Sequence, residues 1–393
     1  MKSSYFSISD EELIQKGAIL TAKEITNQPE LWLKVYKVVL ENYKGLKSFF
    51  EKVHNGNNGE ELEIILSGAG SSAYIGDVLE GVFRKYSATK TIAVATTELV
   101  THPDYFFQKN KKTLLISFAR SGNSPESVKT VALANKLCSK IYHIVITCNS
   151  EGELARSVSG DNSFVLLMPP EADDKSLVMS GSFTSMLLSG LLLARLNELE
   201  NLEPQIRLLA EYGKKIIKEN ISELKIISDL DFKRAVFLGS GIFKGIAEES
   251  ALKLQELTDG KIICKHDSFL GFRHGPKALI NADTLIVYLF SNNTYVMQYE
   301  KDLVKAVDNG RKALCSIGVM EMPVNEMKLD LKIKMICGSV KLEETFLSIV
   351  SVLPAQILGF LKSMNLGLKP DTPSESGMIT RVVQGVKIYP FEE

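Results

Sequence analysis

One strand-and-turn pattern occurs twice in the chain, and this repetition restricts the fold more than any other feature of the sequence. An apolar run that ends in a glycine-containing turn at Ile64–Gly70 recurs at Ala235–Gly241, 171 positions later. The apolar run Thr113–Ala119 recurs at Thr284–Phe290 with the same separation of 171. Two independent features with one separation predict an internal duplication.

Short apolar runs alternate with helical patterns from residue 62 onwards. We predict strands at 62–66, 91–96, 113–118, 142–147 and 163–167, and helices at 73–86, 126–137 and 184–199. Such alternation is typical of a doubly wound, mainly parallel sheet in a three-layer αβα fold, which binds ligands at the carboxyl ends of its strands. With the duplication, the expected fold class is α/β with two such domains in tandem.

The other segments complete the expected domain organisation. The first fifty residues are predicted to be helical, with a capping box from Ser9 to Glu12 and an interruption at Asn27-Gln28-Pro29 that separates two helices. Turn-forming residues at 54–59 predict a linker. The expected parts are N-terminal helices at 1–50, a first domain at 51–202, a helical bridge at 203–232, a second domain at 233–365 and a tail at 366–393.

Composition excludes several classes of protein. A net charge of −1 over 393 residues gives no reason to expect a nucleic-acid partner or an acidic membrane surface. The most apolar stretches, near 186–194 and 346–361, look too short or too interrupted to span a bilayer, and the N-terminus lacks the pattern of a signal peptide. Five scattered cysteines without a Cys-x-x-Cys pair predict free thiols and no structural zinc site. We therefore expect a cytoplasmic protein.

The predicted strand 113–118 ends in a turn that suits an anion. Arg120, Ser121 and Ser124 lie in this turn, and a helix is expected to begin near Pro125 with Ser124 as its cap. Backbone N–H groups and the serine hydroxyls would face the ligand, while the helix dipole and Arg120 add positive potential. An ordinary strand-to-helix turn is the alternative. Because the second copy has Ser-Asn-Asn-Thr at 291–294, without the cation and the glycine, we predict one anion site per chain.

A second hydroxyl-rich turn follows the first predicted strand. Its sequence, Ser67-Gly68-Ala69-Gly70-Ser71-Ser72-Ala73, fits Gly-x-Gly-x-x-Ala, which raises the alternative of a dinucleotide fold in which Glu98, at the end of the second strand, holds the ribose. The adjacent hydroxyls of Ser71 and Ser72 suit a single phosphate better than a pyrophosphate. We therefore favour a phosphate site.

Two groups of residues in the second copy suggest acid–base chemistry. Glu249, Lys253 and Glu256 are spaced to share one helix face, which is either a solvated charged face or, at the carboxyl end of the second sheet, a catalytic group. The loop Arg273-His274-Gly275-Pro276 places an imidazole beside a cation in a rigid turn. A lone histidine is usually structural, but this setting favours a functional role for His274.

Together these motifs resemble tandem sugar isomerase (SIS) domain proteins over roughly residues 45–390. The resemblance is closest to the branch of tagatose-6-phosphate ketose/aldose isomerases, whose members act as galactosamine-6-phosphate deaminase/isomerases. The stretches that support this branch are 118–127, 182–186, 271–277 and 381–386.

The resemblance implies a set of site residues and partners. It assigns substrate phosphate binding to residues of the first copy: Ser72, Arg120, Ser121 and Ser124, with Ser71 adjacent. It assigns proton transfer to Glu256 of the second copy, with Glu249 and Lys253 in the same pocket, and ring opening to His274. No cofactor or metal is implied. In the related hexosamine-phosphate synthase the histidine loop reaches the neighbouring subunit's site, so a homodimer or a dimer of dimers with shared active sites is expected.

The resemblance also bounds the reaction. The synthase's glutaminase has no counterpart here, and its tail lysine matches Gln384, so amine installation is not expected. The expected activity converts galactosamine-6-phosphate to tagatose-6-phosphate and ammonia. A plain aldose/ketose phosphate isomerase and a non-catalytic sugar-phosphate sensor are the alternatives; sensing is disfavoured because Glu256 and His274 are retained and the N-terminal helices are not basic.

Overall fold

The computed structural model describes residues 4–55, 61–322, 326–383 and 385–392. The chain divides into two compact units, each with one sheet. The first-sheet unit comprises Leu31–Asp173, Gly181–Glu203 and Ile379–Glu393, and the second-sheet unit comprises Met1–Glu30, Asp174–Ser180 and Pro204–Met378.

The described N-terminal residues form a two-strand ladder followed by three helices: β1 (Ser4–Tyr5), β2 (Ile8–Ser9), α1 (Asp10–Gln15), α2 (Ile19–Glu41) and α3 (Tyr43–Asn55). The Ser9 hydroxyl accepts the N–H of Glu12 at 3.2 Å, which confirms the predicted cap. Most of the predicted linker at 54–59 lies outside the described residues.

The predicted interruption at residues 27–29 is wrong, because α2 continues through Pro29. Proline has no N–H to donate to the carbonyl four residues earlier, which here belongs to Ile25. The side-chain amide of Gln28 donates to that carbonyl at 3.2 Å and to the Gln356 side chain at 2.7 Å. The buried amide thus replaces the missing backbone donor and lets the helix continue.

The first-sheet unit contains every strand and helix predicted for the first domain. Its elements are β3 (Leu62–Ser67), α4 (Ser71–Ser87), β4 (Lys90–Ala93), α5 (Thr96–Thr101), α6 (Pro103–Phe106), β5 (Lys112–Ala119), α7 (Pro125–Leu137), β6 (Lys140–Thr147), α8 (Glu153–Ser157), β7 (Ser163–Leu167) and α9 (Gly181–Ala194). The strands are parallel in the order β4-β3-β5-β6-β7. Helix α9 is buried along its whole length, so it is a core helix.

The chain continues through two helices into the second sheet. The elements are α10 (Glu203–Glu219), α11 (Ile221–Asp229), β8 (Arg234–Gly239), α12 (Ile242–Leu257), β9 (Ile263–Asp267), α13 (Phe269–Phe272), β10 (Thr284–Leu289), α14 (Thr294–Asp308), β11 (Cys315–Met320), β12 (Leu331–Lys334), α15 (Glu344–Val350) and α16 (Leu353–Asn365). The parallel strands lie in the order β9-β8-β10-β11-β12, the same winding as in the first sheet.

Strand register confirms the internal duplication. Glu63 lies opposite Thr113 in the first sheet, and Arg234 lies opposite Thr284 in the second, so both partners move by the same 171 positions. The glycine that precedes the first helix of each copy adopts a φ of 56°, which L side chains rarely adopt.

One helical stretch has the length and composition of a membrane span. Glu344–Asn365 covers 22 residues with a mean hydropathy of 1.6, but 94% of its most apolar window is buried inside the protein. It contains α15 and α16, which are fully buried over most of their length. Burial of this kind is what a core helix of a globular fold shows.

Candidate active site

The two predicted phosphate-binding turns lie at the carboxyl-terminal end of the strands of the first sheet. They follow β3 and β5, which are neighbours at the point where the strand order reverses. In doubly wound folds ligands bind in the crevice at this position. The topology therefore brings Ser71 and Ser72, at the start of α4, to the same edge as the residues that follow β5.

Close packing fixes the turn after β3. A Cβ on Gly68 would lie 2.5 Å from the backbone of Ser72, so only glycine fits this approach. Ser71 and Ser72 are buried at 4% and 3% exposure in the first turn of the 17-residue helix α4. The start of a helix supplies N–H groups without helical partners and a favourable dipole, which together suit an anion.

The turn after β5 is held by hydrogen bonds from a neighbouring loop. Asn149 donates its side-chain amide to the carbonyl of Ser121 at 3.0 Å, and the N–H of Leu154 donates to the carbonyl of Gly122 at 2.8 Å. Ser124 occupies the cap position before α7, but its hydroxyl lies 2.6 Å from the hydroxyl of Ser127 and accepts no helix N–H. Ser124 thus has the predicted cap position, without a side-chain hydrogen bond to the helix.

Arg120 makes a contact that the sequence did not predict. Its side chain is buried, and its guanidinium donates to the backbone carbonyl of Arg381 in the C-terminal tail at 2.7 Å. The Arg381 guanidinium in turn donates to the carboxylate of Asp173 at 2.5 Å. The cation expected to bind phosphate therefore also binds the tail. Gln384, which matches the synthase lysine, lies outside the described residues.

Glu249, Lys253 and Glu256 form a buried charged group. Lys253 is 1% exposed, and its ammonium lies 2.6 Å from Glu256 Oε2 and 3.4 Å from Glu249 Oε1. The Glu249 side chain is fully buried, whereas that of Glu256 is 24% exposed. A solvated charged face, the alternative for this spacing, is therefore wrong. Glu256 is the member of the group that a substrate can reach from solvent.

The location expected for this group is wrong. We expected it at the carboxyl end of the second sheet, but only the start of α12 lies there, because a crossover helix runs antiparallel to the strand before it. Glu256 occupies the last turn of α12, about 20 Å further along the helix axis. The group therefore does not belong to the ligand-binding edge of its own sheet.

His274 lies on an exposed loop after α13. The loop is fixed by Gly275, whose φ is 120°, and by a hydrogen bond from the backbone N–H of His274 to Gly271. Within the described ranges the His274 side chain has no hydrogen bond or ion pair, and nothing joins it to Glu256. By contrast, burial lowers the pKa of His143 to about 4, and its ring contacts Asn135, as expected of a structural histidine.

The equivalent turn of the second copy is filled by carboxylates, which the sequence analysis missed. The N–H of Ser291 donates to Glu300 at 3.1 Å, and its hydroxyl donates to Glu344. Glu300 is fully buried, and burial raises the pKa of its carboxyl to about 8. The two carboxyl groups therefore occupy the Ser291 donors that a phosphate would need. In the sequence, the only indication of this buried carboxylate was that Glu300 lies on the apolar face of the helical pattern of α14.

The structure does not place Glu98 where the alternative of a dinucleotide fold needs a ligand for the ribose. Glu98 was expected at the end of the second strand, but β4 ends at Ala93 and Glu98 lies in α5. Across the residues that the structure describes, no three histidine, cysteine, aspartate or glutamate side chains are placed to hold a metal ion.

The chain has two parallel sheets with the same winding, and a hydroxyl-rich turn lies at the switch point of the first sheet. This arrangement defines a tandem SIS-type α/β protein. A family model of the SIS domain matches residues 60–196. The D-galactosamine-6-phosphate deaminase AgaS of Shewanella sp. (strain ANA-3) is 37% identical, over 99% of this chain and 97% of its own.

Solved structures agree with this relationship. A tagatose-6-phosphate ketose/aldose isomerase from Escherichia coli is 34% identical with a TM-score of 0.86, covering 95% of this chain and 97% of its own. A Clostridium novyi NT protein, described as a candidate enzyme of the same kind, is 41% identical with a TM-score of 0.95 and full coverage of both chains. The chain belongs to the SIS-domain family, in the branch of the AgaS proteins.

Proposed function

We propose that this chain is an amino-sugar phosphate deaminase/isomerase that converts galactosamine-6-phosphate and water to tagatose-6-phosphate and ammonia. The observation that carries the proposal is full-length similarity to a relative named D-galactosamine-6-phosphate deaminase. The buried lysine between two glutamates supports it, because proton transfer at carbon needs a base held in a fixed position.

The substrate phosphate binds at the two serine turns in this account. Ser71 and Ser72 at the start of α4, with Ser121 and Ser124 after β5, supply hydroxyl and backbone donors. Arg120 supplies the positive charge, since a guanidinium can donate to the tail carbonyl and still present further N–H groups to an oxyanion.

The proposed chemistry is acid–base catalysis at two carbons. His274 helps to open the sugar ring by moving a proton between O5 and O1. Glu256 takes the C2 proton of the open-chain aldehyde, giving a 1,2-ene, and returns it at C1. Water adds to the resulting C2 imine, so that the water oxygen becomes the ketone oxygen and the nitrogen leaves as ammonia. These steps use no metal or cofactor.

Contacts within the group support Glu256, and not Glu249, as the proposed base. Its Oε2 is held by the Lys253 ammonium, while its Oε1 has no hydrogen-bond partner in the described part of the chain. Glu249 is fully buried, so it serves to position Lys253.

We also propose that the active enzyme is a cytoplasmic homodimer, or a dimer of dimers, with shared active sites. The support is the exposed His274 loop, which is rigid but has no side-chain partner among the described residues of its own chain. A loop of this kind suits a contribution to a neighbouring subunit's site.

Plain aldose/ketose phosphate isomerisation is a second candidate. It is favoured by the Escherichia coli structure, which is named a tagatose-6-phosphate ketose/aldose isomerase. The same Glu256 proton transfer serves both reactions, and only the nitrogen separates them. Release of ammonia therefore distinguishes the candidates.

A pair of glutamine variants tests the proposal. Glu256→Gln is expected to abolish ammonia release from galactosamine-6-phosphate while leaving binding of tagatose-6-phosphate intact, because the base is lost and the phosphate turns are untouched. Glu248→Gln is the matched control, because Glu248 lies on the same helix α12 but its carboxylate contacts His266 instead of Lys253. Full activity of Glu256→Gln would refute the assignment of the base.

A further inference from the structure

A cavity of about 270 Å³ lies between the end of α14 and the turn that follows the His274 loop, and none of the roles above uses it. Ile280 and Val307 form part of its lining; they are 2% and 5% exposed and belong to the hydrophobic core of the second-sheet unit. At about 30 Å³ per water molecule, the cavity has room for a small organic molecule.

Two cationic side chains also line the cavity. Among the described residues that line the cavity, Lys277 and Arg311 are cationic and none is a carboxylate. Across the described residues, neither side chain makes a hydrogen bond or an ion pair. Two unpaired cations beside an apolar floor are complementary to an anion that carries a short apolar body.

The end of α14 does not oppose an anion here as strongly as a bare helix terminus would. A helix C-terminus carries partial negative charge on its unpaired carbonyls. In α14 the carbonyl of Lys305 accepts the N–H of Asn309 at 3.1 Å, and the carbonyl of Val307 accepts the N–H of Gly310 at 2.9 Å. These bonds satisfy two of the carbonyls at this helix end.

We propose that this cavity is a second ligand site, which binds a small organic anion. The phosphate or carboxylate group lies between Lys277 and Arg311, and the apolar body packs on Ile280 and Val307. The site uses none of the residues assigned to the sugar phosphate. It does not depend on the proposed deaminase reaction, so either proposal can fail without the other.

Methyl NMR of the full chain, with phenyl phosphate as the probe, tests the site directly. Saturable shifts of the Ile280 and Val307 methyl signals are expected, because these side chains line the cavity. Phenol and inorganic phosphate each lack one half of the required chemistry, so each is expected to shift the same signals only at much higher concentration. An absence of saturable shifts with phenyl phosphate would overturn the proposal, as would equal binding of phenol.

Charge variants separate this site from general attraction of anions. Lys277→Ala combined with Arg311→Ala is expected to weaken the phenyl phosphate titration by about tenfold, as the loss of two partly exposed ionic contacts predicts. Lys312→Ala is the matched control, because Lys312 is exposed beside Arg311 but does not line the cavity. Ala306→Met, which fills the cavity, is expected to abolish the shifts. Unchanged titration in the double variant would refute the assigned ligand class.

Discussion

The charged group on α12 makes Lys253→Met the most informative single change for the stability of the second-sheet unit. The lysine is 1% exposed and contacts both carboxylates, one of which is fully buried. Methionine keeps most of the side-chain volume but removes the charge, which leaves Glu249 and Glu256 without their shared cation. Breaking a buried ion pair from one side costs about 3–5 kcal/mol. We expect a loss near the lower figure, because Glu256 retains contact with solvent.

Urea unfolding followed by far-ultraviolet circular dichroism measures this loss. Lys244→Met is the matched control on the same helix; Lys244 is exposed, so its replacement is expected to change the unfolding free energy by less than about 0.5 kcal/mol. Adding Glu249→Gln to Lys253→Met is expected to recover at least about 1 kcal/mol, because the uncompensated buried carboxylate disappears. The reasoning is refuted if Lys253→Met is no more costly than the control.

Two further predictions concern the carboxylate-filled turn and the tail. Burial raises the pKa of Glu300 from 4.5 to about 8, so between these pH values the folded protein keeps a proton that the unfolded protein has released. The unfolding free energy therefore falls as the pH rises from 4.5 to about 8, by up to about 1.4 kcal/mol per pH unit. Glu300→Gln is expected to remove that contribution from the pH dependence of the unfolding free energy, whereas Asp302→Asn on the same helix keeps it. Asp173→Asn is expected to speed tryptic cleavage after Arg381 by about fivefold, because loss of the ion pair frees the tail.

One result would contradict each of these two predictions. An identical pH dependence in the Glu300→Gln and unmodified proteins would mean that the buried carboxyl titrates normally. Unchanged cleavage of Asp173→Asn, with equal cleavage at sites elsewhere, would mean that the ion pair does not hold the tail.

The fold was predictable because its signals are local and repeated. The apolar runs of β3 and β5 and their copies 171 positions later fix both sheets, and the strand at Ser163–Leu167 matches its predicted bounds. Pro29 misled the prediction because its replacement donor, the Gln28 amide, is itself held by a residue more than three hundred positions away. Propensity rules do not include such a partner.

The candidate site was predictable in residue type but not in arrangement. Helical spacing placed Glu249, Lys253 and Glu256 together, yet the direction of α12 relative to its strand decides which end of the sheet they approach. The contact of Arg120 with Arg381 joins positions 261 apart in the sequence, and no local pattern indicates it. Sequence reasoning therefore identified the groups, while the tertiary fold determined their surroundings.

Ammonia release tests the central claim most directly. Purified protein is given galactosamine-6-phosphate, glucosamine-6-phosphate and tagatose-6-phosphate separately, and ammonia, ketose phosphate and aldose phosphate are measured. The account predicts ammonia and tagatose-6-phosphate in equal amounts from the galacto substrate, and little or none from the gluco substrate. Interconversion of aldose and ketose phosphates without ammonia from either amino sugar would contradict it and establish the plain isomerase.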